Sequence, residues 1–362
     1  MGFNELWGKI KGTKSYRPAR IIIPQKNIEP KLKKTGPFQR HKQYFEVTVN
    51  EMYLTYQRKW FKEWEPIVFV GSKFLYDGKF QEVPFFVGQK MLLEGKKDDT
   101  LPGGMIFKDT KVAGLHPYRG GNFSISIVLG RAERNDYLRK VLNLIENTSK
   151  TYLSSFGTSV LPYVKAAKIV LDGYEDLVDS KDVEPLIGHQ ITLNPDTQED
   201  FFPGYFALIN EPEESINPND FFVINGKLHH GITKDKATRY DKDDYVLYSI
   251  LATGDRSDIE ALPYYEHFKK IQELISGMGE IKNEQMNLIN AKLYALSNMV
   301  RMSPDLIRDQ VDDQIADFRH ELKEMVDDRK PLSGDKKQLQ DKRDDWEKKM
   351  DIELLSILTN KK

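Results

Sequence analysis

The chain has 362 residues, of which 39% are hydrophobic and 30% are charged, and it contains no cysteine. The absence of cysteine excludes disulfide frameworks, thiol nucleophiles, iron–sulfur clusters and thiolate zinc sites. This length and composition predict a soluble globular protein of about two domains. A chain of this size buries enough surface to fold without a disulfide or a structural metal.

Membrane and targeting signals are also missing from the sequence. No stretch approaches 18 uninterrupted apolar residues, and the N-terminus has no apolar core of the signal-peptide type. Leu6 stands where a myristoylation signal starting at Gly2 requires serine or threonine. We therefore expect a cytoplasmic protein without a transmembrane segment.

The net charge of -1 is spread unevenly along the chain. Residues 1–42 hold eleven basic and two acidic residues, whereas residues 43–300 hold 29 basic and 37 acidic residues. This pattern predicts a basic N-terminal arm at 1–42 on an acidic body. Such an arm either binds an external polyanion, including nucleic acid, or lies along its own acidic body. The basic residues are not accompanied by a nucleic-acid-binding signature, so we rank nucleic acid low among the partners.

The start of the arm has the spacing of a short amphipathic helix. Phe3, Leu6, Trp7 and Ile10 fall at i, i+3, i+4 and i+7. A helix this short has only marginal stability on its own, so it needs a surface on which to pack. That surface is the parent domain, a partner chain or a membrane, so these four residues are candidate partner-binding residues.

Residues 43–256 predict an α+β body that is mainly antiparallel. Strand patterns come before and after a helical pair expected at 134–147 and 160–178. Alternating residues at 123–129 indicate a half-buried strand, and the apolar run at 245–251 indicates a buried central one. Asn225-Gly226 between two apolar runs predicts a hairpin with a type I′ turn. The strands form one sheet or two packed sheets, as in a β-sandwich.

The remainder of the chain is predicted to be helical, as a segment at 257–330 and a charged C-terminal helix at 331–362. Ser257 and Glu260 have capping-box spacing, and Ser303-Pro304-Asp305 resembles a second helix start. A short heptad seam follows, formed by Val311, Ile315, Phe318, Leu322 and Met325. The apolar stripes of these C-terminal helices are narrow. A narrow stripe predicts that the region projects from the body or packs on another chain.

A search for catalytic motifs finds no P-loop, dinucleotide fingerprint, nucleophile elbow, zinc-protease helix or calcium loop. Asp77, Glu94 and Lys96 are similar to the carboxylate and lysine set of metal-dependent nucleases. A Glu-x-Lys triplet is expected by chance in a chain this rich in charge.

Two further groups are weak candidate sites. His229 ends the predicted hairpin, and Asp241, Asp243 and Asp244 precede the next strand, so the four side chains are candidate metal ligands. A solvated hairpin end explains the same residues. Arg119, Gly120 and Gly121 are candidate anion-binding residues, because glycine-rich turns expose backbone amides. A turn that leads into a strand explains them equally.

The leading hypothesis is a non-enzymatic interaction or assembly protein without a cofactor. Its basic arm and C-terminal helices are expected to engage a protein partner or a second copy of the chain. Two alternatives remain open: a metal-dependent hydrolase, including a nuclease, and a peripheral membrane-attached protein.

Overall fold

A computed structural model describes residues 18–33, 35–55, 58–59, 62–76, 79–87, 110–133, 183–193, 202–256, 258–279 and 281–329. The helices predicted at 3–10, 134–147, 160–178 and 331–362 lie outside these residues.

The described residues form a β-rich body followed by three helices, which confirms the predicted α+β class and the helical C-terminal region. The strands are β1 (Pro18–Ile22), β2 (Ile28–Glu29), β3 (Tyr44–Tyr53), β4 (Arg58–Lys59), β5 (Lys62–Tyr76), β6 (Lys79–Val87), β7 (Thr110–Pro117), β8 (Phe123–Glu133), β9 (Val183–Leu193), β10 (Gly204–Pro212), β11 (Phe221–Ile224), β12 (Lys227–His230), β13 (Thr238–Arg239) and β14 (Tyr245–Thr253). The helices are α1 (Tyr265–Ser276), α2 (Asn283–Met302) and α3 (Arg308–Asp327).

Sheet A has the strand order β1-β10-β14-β3-β7, with every neighbouring pair antiparallel. Its centre is β14, whose first six residues are all buried. A strand that is covered on both faces has no polar side to alternate with, so it appears as a continuous apolar run. The buried central strand predicted at 245–251 is therefore present.

The edge strand β1 comes from the segment that the sequence predicts as the basic arm. It pairs with β10 from Ile22 opposite Phe206 to Pro18 opposite Pro212. Ala19 and Ile21 point into the core, whereas the Arg20 guanidinium lies 5.0 Å from the centre of the Phe206 ring. Residues 18–22 are thus part of the body.

Sheet B is small and has the order β13-β12-β11-β2. The predicted hairpin joins β11 to β12, and Asn225 and Gly226 have φ angles of 53° and 72°. Positive φ at both positions is what a type I′ turn needs. One face of this sheet shares a core with sheet A, in which Val223 and Leu228 contact the same cluster as Ala207 and Leu247.

Replacing Gly226 with alanine should lower the free energy of unfolding by about 1 kcal/mol, because a Cβ atom makes the left-handed conformation costly. Gly36→Ala is the matched control, since a Cβ at Gly36 meets no atom within 4 Å and its φ is not positive. Urea denaturation of both variants measures the difference. Equal stability of the two variants would contradict the assigned turn.

Sheet C has the order β4-β5-β8-β9, and β6 pairs with β5. The strand predicted at 123–129 is β8 and continues to Glu133. It runs antiparallel to β5 and to β9, with Ile127 opposite Val70 on one side and His189 on the other.

The three helices pack on one another around their own apolar core. At its centre the Phe268 ring of α1 stacks on the Phe318 ring of α3, with centroids 4.1 Å apart. α2 contributes Ile289, Leu293, Leu296 and Val300 to the same core. Ile315, Phe318 and Leu322 of the predicted heptad seam are buried here, so part of the seam is used within the chain.

Both predicted helix starts are wrong in position. The chain forms only a short 3-10 turn at Ile259–Ala261, and α1 begins at Tyr265. Pro263 explains the delay, because proline disfavours a helical conformation at the residue before it. Ser303 is the C-cap residue that follows α2, and α3 begins four residues after Pro304. None of the described helices is both long enough and apolar enough to span a membrane.

Candidate interaction surface

The predicted metal ligands at the end of the hairpin are bound to protein groups. The Asp244 carboxylate accepts hydrogen bonds from the backbone N–H and hydroxyl of Thr55, at 2.8 and 2.7 Å, and from the Asn210 side-chain amide at 3.0 Å. The Tyr240 hydroxyl donates to Asp243. These two carboxylates therefore hold neighbouring strand ends and loops together through hydrogen bonds.

The other two residues of this set do not complete a cluster. His229 is half-buried and its Nδ1 lies 3.0 Å from the Lys227 carbonyl oxygen, while Asp241 is exposed. Burial lowers the pKa of His229. Among the described residues, no three histidine, aspartate or glutamate side chains are grouped so that they could hold a metal ion. Asp77, Glu94 and Lys96 lie outside the described residues.

Arg119 joins the β-rich body to the helices. Its Nη2 atom donates to the carbonyl oxygens of Ser303, Pro304 and Leu306, at 3.3, 3.1 and 3.1 Å. These carbonyls belong to the connection between α2 and α3, so the guanidinium fixes that connection to the start of β8. Gly120 and Gly121 both have positive φ and form the turn before the strand.

Arg256 is a second and more buried link between body and helices. It follows β14, and its Nε and Nη2 atoms bind the two oxygens of Asp258 at 2.6 and 2.8 Å. Its Nη1 atom donates to the Asp305 carbonyl oxygen at 2.8 Å. The guanidinium also lies over the Tyr44 ring, 5.7 Å from its centre. The central strand of sheet A is thus tied to the residues that precede α3.

The Tyr44 hydroxyl completes this link from β3. It accepts a hydrogen bond from the Ile307 N–H at 2.9 Å and donates to the Gln310 side chain, whose amide donates in turn to the Arg256 carbonyl oxygen. Burial raises the pKa of Tyr44 to about 12, so the hydroxyl keeps its proton at neutral pH. Paired buried polar groups of this kind fix one relative orientation of two elements.

Glu51 and Arg239 form an ion pair between sheets A and B. The Glu51 side chain is fully buried, and its second carboxylate oxygen accepts the Leu228 N–H at 2.8 Å. Burial raises the pKa of Glu51, against the opposing influence of Arg239. The pair connects β3 to β12 and β13, so we assign it a structural role.

The exposed side of α2 is unusually apolar. Of the five large apolar side chains that are exposed among the described residues, four lie on this helix: Leu288, Tyr294, Met299 and Met302. Met302 is 82% exposed. Leu288, Ala291, Ala295, Met299 and Met302 are all exposed and follow one another at spacings of three or four residues. We call these five residues the α2 stripe, because such spacing places them along one side of a helix.

The neighbouring helix α3 has the opposite character. The acidic residues exposed on its outer side are Asp309, Asp312, Asp313, Asp317, Glu321 and Glu324. An outer surface of this composition is well solvated. Contiguous apolar side chains on an exposed surface are typical of binding sites, whereas single ones are not. The α2 stripe is therefore the described surface that best fits an interaction site.

The sequence patterns did not predict that α2 has an exposed apolar stripe. Leu288 has the period of the core residues Ile281 and Leu296, so the pattern predicts that it is buried. A signal was nevertheless present: a 20-residue helix with apolar residues on two sides has more apolar surface than one core contact can cover. The candidate partner-binding residues Phe3, Leu6, Trp7 and Ile10 lie outside the described residues.

Comparison of the chain with protein-family models, with curated proteins and with solved structures found no match.

Proposed function

We propose that this chain is a non-enzymatic interaction or assembly protein whose partner binds the α2 stripe. The observation that carries the proposal is the concentration of exposed large apolar side chains on one helix. Removing such side chains from water contributes about 25 cal/mol for each Å² buried, from which the costs of association are subtracted. Leaving them in water has no such benefit, and it favours aggregation.

The attachment of the helices to the body supports a binding role. Arg119, Arg256 and Tyr44 contact the residues between the end of α2 and the beginning of α3 from three different places in the body. Because these contacts fix the connection, the helices keep one orientation relative to sheet A. A surface that is already ordered binds with a smaller loss of conformational entropy than a mobile one.

We further propose that the basic N-terminal arm and the C-terminal segment engage partners at places separate from the α2 stripe. The charge contrast between residues 1–42 and the acidic remainder of the chain supports this for the arm. The geometry of sheet A also supports it. β1 begins at Pro18 opposite Pro212, whereas the helices attach near Tyr44 and Thr253, at the other end of the same sheet.

Replacing Leu288 and Met302 together with glutamate should abolish assembly while leaving the fold intact, because both side chains are exposed. Sedimentation velocity of the purified full chain should show a species larger than the monomer, and the double variant should sediment as the monomer. His267→Glu/Ser276→Glu is the matched control, because it adds the same two carboxylates at exposed positions of α1 and leaves the α2 stripe unchanged. A wild-type chain that is monomeric at every concentration and has a freely accessible α2 stripe would contradict the proposal.

A further inference from the structure

The geometry points to a second copy of this chain as the partner of the α2 stripe. We infer that two α2 helices pair antiparallel about a two-fold axis that passes beside Ala295. This inference rests on the proposed function and adds to it the identity and orientation of the partner.

The α2 stripe is symmetric in its spacing about its own midpoint. Leu288 and Met302 lie seven residues before and after Ala295, and Ala291 and Met299 lie four residues before and after it. In an antiparallel pair with its axis at Ala295, Leu288 lies opposite the partner's Met302, and Ala291 lies opposite the partner's Met299. A C2 interface requires this self-complementarity, since one patch must fit a copy of itself.

The residues that meet in such a pair are also complementary in size. The two alanines at position 295 face each other at the axis, where two helices approach most closely. On either side of them, Ala291 of one copy offers room for the long side chain of Met299 of the other. Alternation of small and large side chains lets facing helices interdigitate at an axial separation of about 8–10 Å.

The charges of α2 are compatible with antiparallel pairing. Between Leu288 and Met302 the α2 stripe has no charged member, so pairing buries no unpaired charge. Lys292 lies beside the stripe and is exposed, so its ammonium group stays in water at the edge of the pair. Antiparallel helices also place opposite ends of their dipoles together, whereas parallel ones place like ends together.

Two segments of the same chain are alternative occupants, and the N-terminal one is too short to reach. Residues 11–17 would have to link the predicted helix at 3–10 to Pro18. The eight Cα–Cα steps from Ile10 to Pro18 span at most about 29 Å. Pro18 lies one residue beyond the start of β14 along sheet A, so the nine steps from Pro18 to the helix end of β14 already span about 30 Å, before the chain has left the sheet.

The C-terminal segment follows α3 and can reach α2, but its stripe is a poorer match. Its predicted apolar residues are Leu339, Trp346, Met350, Leu354 and Ile357. All five are large, so none offers space opposite Leu288, Met299 or Met302. Overpacking of large residues against large residues opposes close helix contact. We therefore assign the stripe to a second copy.

The absence of cysteine from the chain allows a direct test of this geometry. Ala295→Cys in the full-length protein should form an intermolecular disulfide under mild oxidation, because the two-fold axis brings both copies of this position together. The Cα atoms of disulfide partners lie about 4.4–6.8 Å apart, a condition that few positions meet. Ala316→Cys is the matched control, since Ala316 is an exposed alanine on the outer side of α3. It should stay reduced.

A mixing experiment establishes the direction of the helices. Leu288→Cys alone should not link to itself, because the two copies of this position are about 21 Å apart along the pair. Met302→Cys alone should behave in the same way. An equimolar mixture of the two variants should give the mixed disulfide. Formation of the Leu288 homodimer instead would overturn the antiparallel arrangement.

The remaining outcomes separate this inference from the proposed function. A second outcome is that the glutamate variants abolish assembly but Ala295→Cys forms no disulfide dimer at a concentration at which the wild-type chain assembles. In that case the surface is an interaction site and the antiparallel pairing is wrong. An Ala295→Cys/Met350→Cys chain that forms an internal disulfide would show that the C-terminal segment occupies the stripe, and would also overturn the inference.

Discussion

Replacing Arg239 with methionine should lower the free energy of unfolding by about 3–5 kcal/mol, which is the effect of breaking a buried ion pair from one side. The cause is the fully buried Glu51 carboxylate, which loses its charged partner and keeps the hydrogen bond from the Leu228 N–H. Methionine retains most of the apolar volume of the arginine stem, so the loss comes mainly from charge. Urea denaturation at neutral pH measures it.

The pH dependence of this variant identifies the group responsible. Burial raises the pKa of Glu51, so the folded protein binds this proton more tightly than the unfolded chain does. Glu51 therefore contributes stability below its unfolded pKa, and this contribution is lost as the pH rises through its folded pKa. Without Arg239 the folded pKa rises further. The deficit of Arg239→Met should therefore shrink as the pH is lowered from neutral towards the unfolded pKa of a glutamate.

The control for the charge is Arg239→Met combined with Glu51→Gln, which removes both charges and keeps a side chain of similar shape. This double variant should recover most of the lost stability and should lack the pH dependence. A single variant that is as stable as the wild type at neutral pH would show that Glu51 is not destabilised by the loss of its partner.

Arg256→Met should separate the unfolding of the helices from that of the body. The substitution removes the hydrogen bond to the Asp305 carbonyl and the ion pair with Asp258, at a cost of about 3 kcal/mol. The lost contacts are those that hold the connection between α2 and α3. The backbone amide hydrogens of all three helices should therefore exchange with solvent faster than those of β14. Hydrogen exchange with mass spectrometry resolves the two regions.

Asp258→Asn is the matched control for Arg256→Met. Asparagine keeps one acceptor for the Arg256 guanidinium, and Arg256 keeps its bond to Asp305, so we expect a smaller effect confined to the residues before α1. If Arg256→Met instead accelerates exchange equally in the body and in the helices, the two regions unfold as one unit and Arg256 is not the decisive link.

Local sequence patterns predicted much of the fold. Asn225-Gly226 fixed the hairpin, because few other residue pairs tolerate positive φ at two successive positions. The apolar run at 245–251 identified the central strand, because only a strand covered on both faces lacks polar alternation. Pairing between distant strands was not predictable in this way. No local signal indicates that Ala19 and Ile21 lie beside β10, almost 190 residues later in the chain.

The candidate sites were predicted less well, for a physical reason. Arg119 and Asp244 have the chemistry of ligand-binding residues, and their partners are carbonyl oxygens, hydroxyls and amides of distant segments. A sequence lists donors and acceptors, whereas folding decides which of them meet. The α2 stripe shows the converse: Leu288 has the spacing of a core residue, and only the three-helix packing shows that it is left outside.

The strand order of sheet A determines when this protein can fold as it is synthesised. β14 lies at the centre, yet it is the last of the five strands to be made. Until residue 253 has left the ribosome, β1 with β10 and β3 with β7 are two separate ribbons, each with an open edge. Open edges invite pairing with other nascent chains. Cellular yield should therefore depend on chaperones, and truncation before β14 should give insoluble protein.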